Sequence, residues 1–279
     1  MIRRTLRVPV TLAGVGLHTG RPSRMRCVPA GEVRGIVFTR ADRPDAAPLP
    51  ATVEAVSDAT RAITLGGAAP VGTVEHLLAA AAALGVTDLG VEVHGDEIPA
   101  FDGSALPIAD AMRAVGFVDL EGELPVLRLS RPAFVADGHR SVLALPAPEL
   151  RLTCVVPLRT PALGTQVVDV LGPALPSLLD ARTWGYVDDI EELRASGYAR
   201  GAQLENALGI GRDGYLTPPR GVDEPARHKA LDLLGDLSLL GRPLEAHVIA
   251  VAAGHRLHVA MVRRILEMEA REPRDGTRP

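Results

Sequence analysis

Residues 224–252, EPARHKALDLLGDLSLLGRPLEAHVIAVA, form the stretch that decides the fold. The leucine-rich first part, residues 224–240, predicts a helix. The mostly apolar second part, residues 245–252, is short and predicts a buried strand. A further helix is predicted to begin near His255. This end of the chain therefore has the order helix, strand, helix.

The first half of the chain repeats that order. Residues 73–84 are rich in alanine and leucine and predict a buried helix, with Thr73 as its N-terminal cap. Residues 88–94 alternate apolar and polar positions and predict a strand. Ser104 is then placed to cap a second helix that runs to about Val115. Two copies of one plan predict a duplicated α+β unit.

The strands and linkers suggest where the copies begin and end. Residues 24–29, RMRCVP, are echoed by residues 151–157, RLTCVVP, and a Glu- and Gly-containing stretch at 121–125 separates the two halves. We predict the following division: a first α+β domain at 1–122, a second at 126–270 with an insertion at about 185–215, and a disordered polar tail at 271–279.

Composition excludes several classes of function. The chain has 279 residues, of which 47% are hydrophobic, and a net charge of −4, values typical of a globular protein without general attraction for nucleic acid. No apolar run approaches the ~20 residues needed to cross a bilayer. Cys27 and Cys154 each lie in an apolar run, which favours core positions over a disulfide. We therefore expect a cytoplasmic protein with no nucleic-acid partner and no transmembrane segment.

Three polar residues within the decisive helix indicate chemistry. His228, Asp232 and Asp236 are spaced by four, so a helix places them along one face. A histidine and a carboxylate one turn apart can converge on a metal ion. The alternative is a solvated polar stripe, against which the surrounding leucines argue.

The pair Glu75-His76 lies in the other alanine- and leucine-rich helix. Buried polar groups need partners, and one interpretation is a histidine that is hydrogen-bonded within the core. The functional interpretation makes His76 a third metal ligand and leaves a fourth coordination position for water. Glu75 would then lie where it could accept a proton from that water.

Two further histidines have weaker sequence signals. His255 begins the last helix, where it is either a surface residue or a proton donor whose tautomer Asp236 could fix. His18, in GVGLHTG, either lines a site or closes a turn. The glycines at 209–214 fit a dinucleotide-binding pattern, but no strand-to-helix unit surrounds them and we predict a turn.

Six short motifs occur in the order expected of one family. They are GVGLHTG (14–20), TVEHLLAA (73–80), EIPAFDGSA (97–105), ARTWG (181–185), RHKALDLLGD (227–236) and GHRL (254–257). Together they resemble the UDP-3-O-acyl-N-acetylglucosamine deacetylase family, whose members commit Gram-negative bacteria to lipid A synthesis. The matches span most of the chain.

The resemblance implies a fold and a set of residue roles. It implies two α+β domains whose helices are sandwiched between two outer sheets, and an insertion that forms an apolar passage for the substrate acyl chain. The enzyme would be a Zn²⁺-dependent hydrolase, with Fe²⁺ as a possible substitute. The implied roles are metal ligation by His76, His228 and Asp232, general base for Glu75, general acid for His255 with Asp236 as its partner, and oxyanion stabilisation by Thr183.

The implied substrate is a UDP-linked acylated amino sugar, and we separately expect the protein to be a monomer. Lys229, the one lysine in the chain, matches a position near the nucleotide phosphates, and His18 is a further substrate-contact candidate. Departures affect recognition: Trp184 replaces a usual phenylalanine, and Arg140 and Ala252 replace usual lysines. Two alternatives stay open, an amidase for another acylated amino sugar and a non-catalytic relative. The complete set of site residues argues against the second.

Overall fold

The computed structural model describes residues 1–271, and in that range the chain forms five α-helices and eighteen β-strands. The first half contains β1 (Ile2–Leu6), β2 (Val10–Val15), β3 (Pro22–Pro29), β4 (Ile36–Arg40), β5 (Leu49–Pro50), β6 (Val56–Asp58), β7 (Thr64–Leu65), β8 (Val71–Gly72), α1 (Glu75–Ala83), β9 (Leu89–His94), α2 (Leu106–Val115) and β10 (Phe117–Glu123). The second half contains β11 (Leu127–Arg128), β12 (Ala133–Asp137), β13 (Arg140–Pro146), β14 (Arg151–Pro157), β15 (Thr165–Leu171), β16 (Trp184–Tyr186), α3 (Ile190–Ala195), β17 (Leu208–Ile210), α4 (Glu224–Leu237), β18 (Leu244–Val251) and α5 (His255–Arg271).

Two large sheets share one topology. The strand order is β2-β3-β9-β4-β5 in the first and β12-β13-β18-β14-β15 in the second, where β11 also pairs with β18. The central strand, β9 or β18, is antiparallel to one neighbour and parallel to the other. The predicted α+β class with two similar units is therefore confirmed, while the domain limits at 122 and 126 stay a prediction.

The sequence echo used to align the halves was wrong in detail. Residues 24–29 belong to β3, which is antiparallel to the central strand of its sheet, whereas residues 151–157 form β14, which is parallel to the central strand of the other. By position, β3 corresponds to β13 and β4 to β14. Half-buried strands share an alternating pattern whatever their place in a sheet, so a short match cannot fix the correspondence.

The helices form a layer between the two sheets. In α1 every residue from Glu75 to Ala81 is buried, as expected for a helix covered on all sides. It packs against α4, which lies on β14 and β15, while α5 lies on β12 and β13 and α2 contacts β2. The strand β18 buries alternate residues against these helices. The site described below lies at the N-terminal ends of α1 and α5 and along the middle of α4.

Several predicted boundaries need correction. Thr73 does not cap α1: it has a φ of 56°, and its hydroxyl donates to the Glu97 carboxylate at 2.8 Å. Ser104 does accept the backbone N–H of Leu106, at 3.2 Å. The predicted tail began one residue early, because Arg271 is the last residue of α5. The rest of that tail, 272–279, lies outside the described residues.

The remaining elements are small. The strand β1 pairs with β10, β6-β7-β8 form a three-stranded sheet, and β16 pairs in parallel with β17 within the predicted insertion. Cys27 and Cys154 are buried and free, as predicted, and burial raises the pKa of both thiols to about 12. Among residues 1–271, no helix combines the length and apolar character needed to cross a membrane.

Candidate active site

Two helices bring the predicted metal ligands together. His76 comes from the first turn of α1, and His228 and Asp232 come from successive turns of α4. The Nε2 atoms of His228 and His76 lie 3.4 and 3.8 Å from Asp232 Oδ1. All three side chains are buried, and their ligand atoms lie within 4.8 Å of one another. Residues that are far apart in sequence thus converge on one point.

The chemistry of this donor set fits a divalent metal ion. His228 Nδ1 lies 3.1 Å from the Ala181 carbonyl, so it carries the proton and leaves the Nε2 lone pair free. Burial lowers the pKa of His76 to about 3 and also lowers that of His228, which keeps both imidazoles neutral. Burial opposes ionisation of Asp232, but the neighbouring histidines and Lys229 lower its pKa. Two neutral imidazoles and one carboxylate are a ligand set for Zn²⁺.

Glu75 and His255 lie beside this set. His255 Nε2 is 4.0 Å from Glu75 Oε1 and 3.8 Å from Asp232 Oδ2. Burial raises the pKa of Glu75 to about 8, although its Oε2 accepts the Ile63 N–H at 3.0 Å. Burial alone would lower the pKa of His255, but the Asp236 carboxylate outweighs it and raises the value to about 9. A carboxyl group of raised basicity and a protonated imidazole therefore lie side by side.

Asp236 holds His255 by a short hydrogen bond. His255 Nδ1 lies 2.7 Å from Asp236 Oδ2, which is the partnership that the sequence predicted. Burial opposes ionisation of Asp236, but the two histidines bonded to it lower its pKa. The second of these is His258, which sequence reasoning did not single out.

Gly235 sets the distance between α1 and α4. A Cβ atom at this position would lie 2.2 Å from the carbonyl oxygen of Glu75, closer than any real contact. The glycine therefore lets the helix that carries Asp232 touch the helix that carries Glu75 and His76. A glycine in a helix interior is the signal that could have indicated this contact, since it costs ~1 kcal/mol relative to alanine.

We expect Gly235→Ala to destabilise the protein by about 1–3 kcal/mol, because the added methyl must push two packed helices apart. Denaturant unfolding measures the change in the free energy of unfolding. The matched control is Gly185→Ala, since a Cβ at Gly185 meets no atom within 4 Å. Equal stability of the two variants would show that the helices adjust freely at Gly235.

Glu97 organises the loop that carries His18. Its buried carboxylate accepts the backbone N–H groups of His18 and Thr19, each at 2.9 Å, as well as the Thr73 hydroxyl. His18 Nδ1 in turn accepts the N–H of Ala199, at 3.3 Å, from the insertion. The sequence placed Glu97 in a motif without a role, because nothing local shows which distant donors it meets.

One cavity of about 620 Å³ adjoins the ligand set. The four predicted substrate-contact residues, His18, Arg140, Trp184 and Lys229, all line it, and so does Thr183, the predicted oxyanion-stabilising residue. Arg61 and Arg194, which sequence reasoning missed, line it as well. Its cationic side chains make it suited to an anionic ligand.

Thr183 and Lys229 each have a polar group that is already paired within the protein. The backbone N–H of Thr183 donates to the Gly103 carbonyl at 2.7 Å, so its hydroxyl is the group left to face a ligand. Lys229 Nζ lies 2.8 Å from Asp232 Oδ2, next to the ligand set, and 5.9 Å from the centre of the Trp184 ring. This lysine therefore pairs with the carboxylate of Asp232, a predicted metal ligand, and also lines the cavity.

The predicted insertion supplies much of the apolar lining of the cavity. Besides Arg194 and Gln203, it contributes the apolar or aromatic side chains of Tyr186, Val187, Ile190, Leu193, Tyr198, Leu204 and Leu208. A Cβ at Gly209 would lie 2.7 Å from Leu204 and 3.4 Å from Leu216, so leucines close over this glycine. Gly211 and Gly214 lie in a turn, as predicted, in which the Gly211 N–H donates to the Gly214 carbonyl, whereas Gly209 lies in the strand β17.

Comparisons with known proteins agree on one family. The family model described as UDP-3-O-acyl N-acetylglycosamine deacetylase matches residues 3–267. A protein of Thermosynechococcus vestitus named UDP-3-O-acyl-N-acetylglucosamine deacetylase is 40% identical, over 95% of this chain and 94% of that protein. A protein of the same name from Nostoc sp. is 39% identical, over 96% of this chain and 99% of that protein. One from Leptospira biflexa is 36% identical over 95% of this chain and 89% of that protein.

Proposed function

Because the chain belongs to the UDP-3-O-acyl-N-acetylglycosamine deacetylase family, we propose that it removes the N-acetyl group of UDP-3-O-[(3R)-3-hydroxyacyl]-N-acetylglucosamine, in lipid A biosynthesis. The products are acetate and a free amine. The observation that carries the proposal is the placement of Glu75 and His255 beside the triad of His76, His228 and Asp232, in a cavity that both cationic and apolar side chains line.

The family is metal-dependent, and we propose Zn²⁺ as the ion, held by His76, His228 and Asp232. When bound, such an ion supplies Lewis-acid polarisation of the amide carbonyl and of a water molecule. The hydrogen bond from His228 Nδ1 to Ala181 orients one ligand in advance.

The protein's own groups move the protons. Glu75 accepts a proton from water as the water oxygen bonds to the carbonyl carbon, and the Thr183 hydroxyl donates a hydrogen bond to the oxygen that gains charge. His255 then donates its Nε2 proton to the nitrogen as the carbon–nitrogen bond breaks. Asp236 keeps the other proton of His255 on Nδ1 throughout.

Substrate recognition divides between the cationic and the apolar side chains that line the cavity. Lys229, Arg140 and Arg61 supply the positive charge that a diphosphate needs. His18 and Trp184 line the same cavity, where they can contact the sugar. The apolar side chains of the insertion, among them Leu204, can bury the acyl chain.

We expect Arg140→Ala to raise KM about fivefold with kcat unchanged, because an exposed cation contributes roughly 1 kcal/mol to binding in both the ground and transition states. Steady-state kinetics with the UDP-linked substrate measures both constants. Arg131→Ala is the control, since Arg131 is exposed but does not line the cavity. An equal rise in KM for both variants would point to a general charge effect.

The test of the function is acetate release from the UDP-linked substrate by zinc-loaded protein. Turnover that UDP inhibits competitively is the expected result. The second candidate, an amidase for a different acylated amino sugar, is favoured by Ala252, which lines the cavity without the usual positive charge. Turnover of a nucleotide-free acylated glucosamine that UDP leaves unaffected would replace the first proposal with this one. The cytoplasmic location and the monomer stay predictions.

A further inference from the structure

His258 is a buried histidine that the proposed chemistry does not use. It lies on α5 one turn beyond His255, so both rings face α4. Its Nδ1 is 2.7 Å from Asp236 Oδ2, the same oxygen that His255 Nδ1 approaches at 2.7 Å. Within the described chain, the other oxygen, Asp236 Oδ1, is buried and has no hydrogen-bond partner.

This geometry fixes where two protons lie. An ionised carboxylate only accepts hydrogen bonds, so both Nδ1 atoms carry a proton and both point at one oxygen. Because Oδ1 has no partner, the two histidines alone hold the orientation of the Asp236 carboxylate. A buried carboxylate that keeps one of two such bonds can turn and leave His255 free to tilt.

We propose that His258 is a positioning residue, which donates a hydrogen bond to Asp236 so that the carboxylate keeps the His255 ring aimed at the substrate nitrogen. The inference rests on the proposed role of His255 as the proton donor. It also follows that Asp236, His255 and His258, although grouped closely enough to bind a metal ion, use their facing atoms for hydrogen bonds instead.

Three substitutions at His258 distinguish the effect of its hydrogen bond to Asp236 from the effect of its ring volume. Asparagine places its side-chain N–H on the atom next to Cγ, as Nδ1 is in histidine, whereas glutamine places it one bond farther along. We expect His258→Asn to keep kcat near that of the wild type, and His258→Gln and His258→Leu to lower kcat about tenfold with KM unchanged. Equal loss in the asparagine and leucine variants, or no loss in the leucine variant, would overturn the proposal.

Imidazole nitrogen NMR gives a readout that needs no turnover. In the metal-free and zinc-loaded wild type, we expect His255 and His258 both to show protonated Nδ1. The His255 signal should survive in His258→Asn and exchange faster with solvent in His258→Leu. A wild-type His258 ring that carries its proton on Nε2 and none on Nδ1 would overturn the proposal even if the variants were unstable. Absence of deacetylase activity in the wild type, with these signals present, would instead count against the proposed function.

Discussion

Glu75→Gln is expected to lower kcat by about 10²–10⁴-fold while zinc content and fold stay unchanged. Glutamine matches the size of glutamate and can still accept the Ile63 N–H that Glu75 Oε2 accepts at 3.0 Å. It cannot take a proton from water. The variant also removes the need to bury a carboxylate, so a large loss of stability is not expected.

The measurements are kcat by acetate release and metal content by elemental analysis on the same samples. Glu92→Gln is the matched control, because Glu92 lies on β9 and pairs with Arg26 away from the cavity. A low kcat with full zinc content would show that Glu75 acts in proton transfer and not in metal binding. Turnover within tenfold of the wild type would remove Glu75 from the proposed mechanism.

Local patterns in the sequence predicted the elements of this fold well. The observed ends of the α4 helix and the β18 strand lie within three residues of the predicted ends, because the spacing of apolar residues is a local property. Thr73 was assigned as a cap on equally local grounds and was wrong, since Glu97 accepts its hydroxyl. That contact joins residues 24 positions apart, and local propensity carries no information about it.

In the candidate site too, local features were predicted from the sequence and long-range contacts were not. The spacing of His228 and Asp232 predicted that one helix presents both to one ligand. Helical spacing left His76 open between a core histidine and a third ligand, because its meeting with the other two depends on Gly235 allowing α1 to touch α4. His258 was missed for a related reason. A histidine at the first turns of an apolar helix resembles a core residue, and its partner Asp236 lies 22 residues away.

His76→Ala is expected to abolish stoichiometric metal binding and to lower turnover by about 10³-fold or more. Lewis-acid polarisation contributes several kcal/mol to such reactions, and each ~1.4 kcal/mol is a factor of ten in rate. The control is His247→Ala, because His247 is hydrogen-bonded to Thr153 within the second large sheet and does not line the cavity. Retention of about one equivalent of zinc by His76→Ala would contradict the proposed ligand set.

Removing the metal from the wild type tests the proposed metal dependence without a substitution. Chelation should abolish turnover, and adding Zn²⁺ should restore it in the wild type but not in His76→Ala. Two histidines and a carboxylate also suit Fe²⁺, so the ligand types do not choose between the two ions. Turnover after anaerobic reconstitution with each ion decides between Zn²⁺ and Fe²⁺. Higher turnover with Fe²⁺ would keep His76, His228 and Asp232 as ligands and would replace zinc with iron in the proposal. Full activity of the chelated, metal-free protein would exclude the metal from the reaction and leave Glu75 and His255 as the sole catalytic pair.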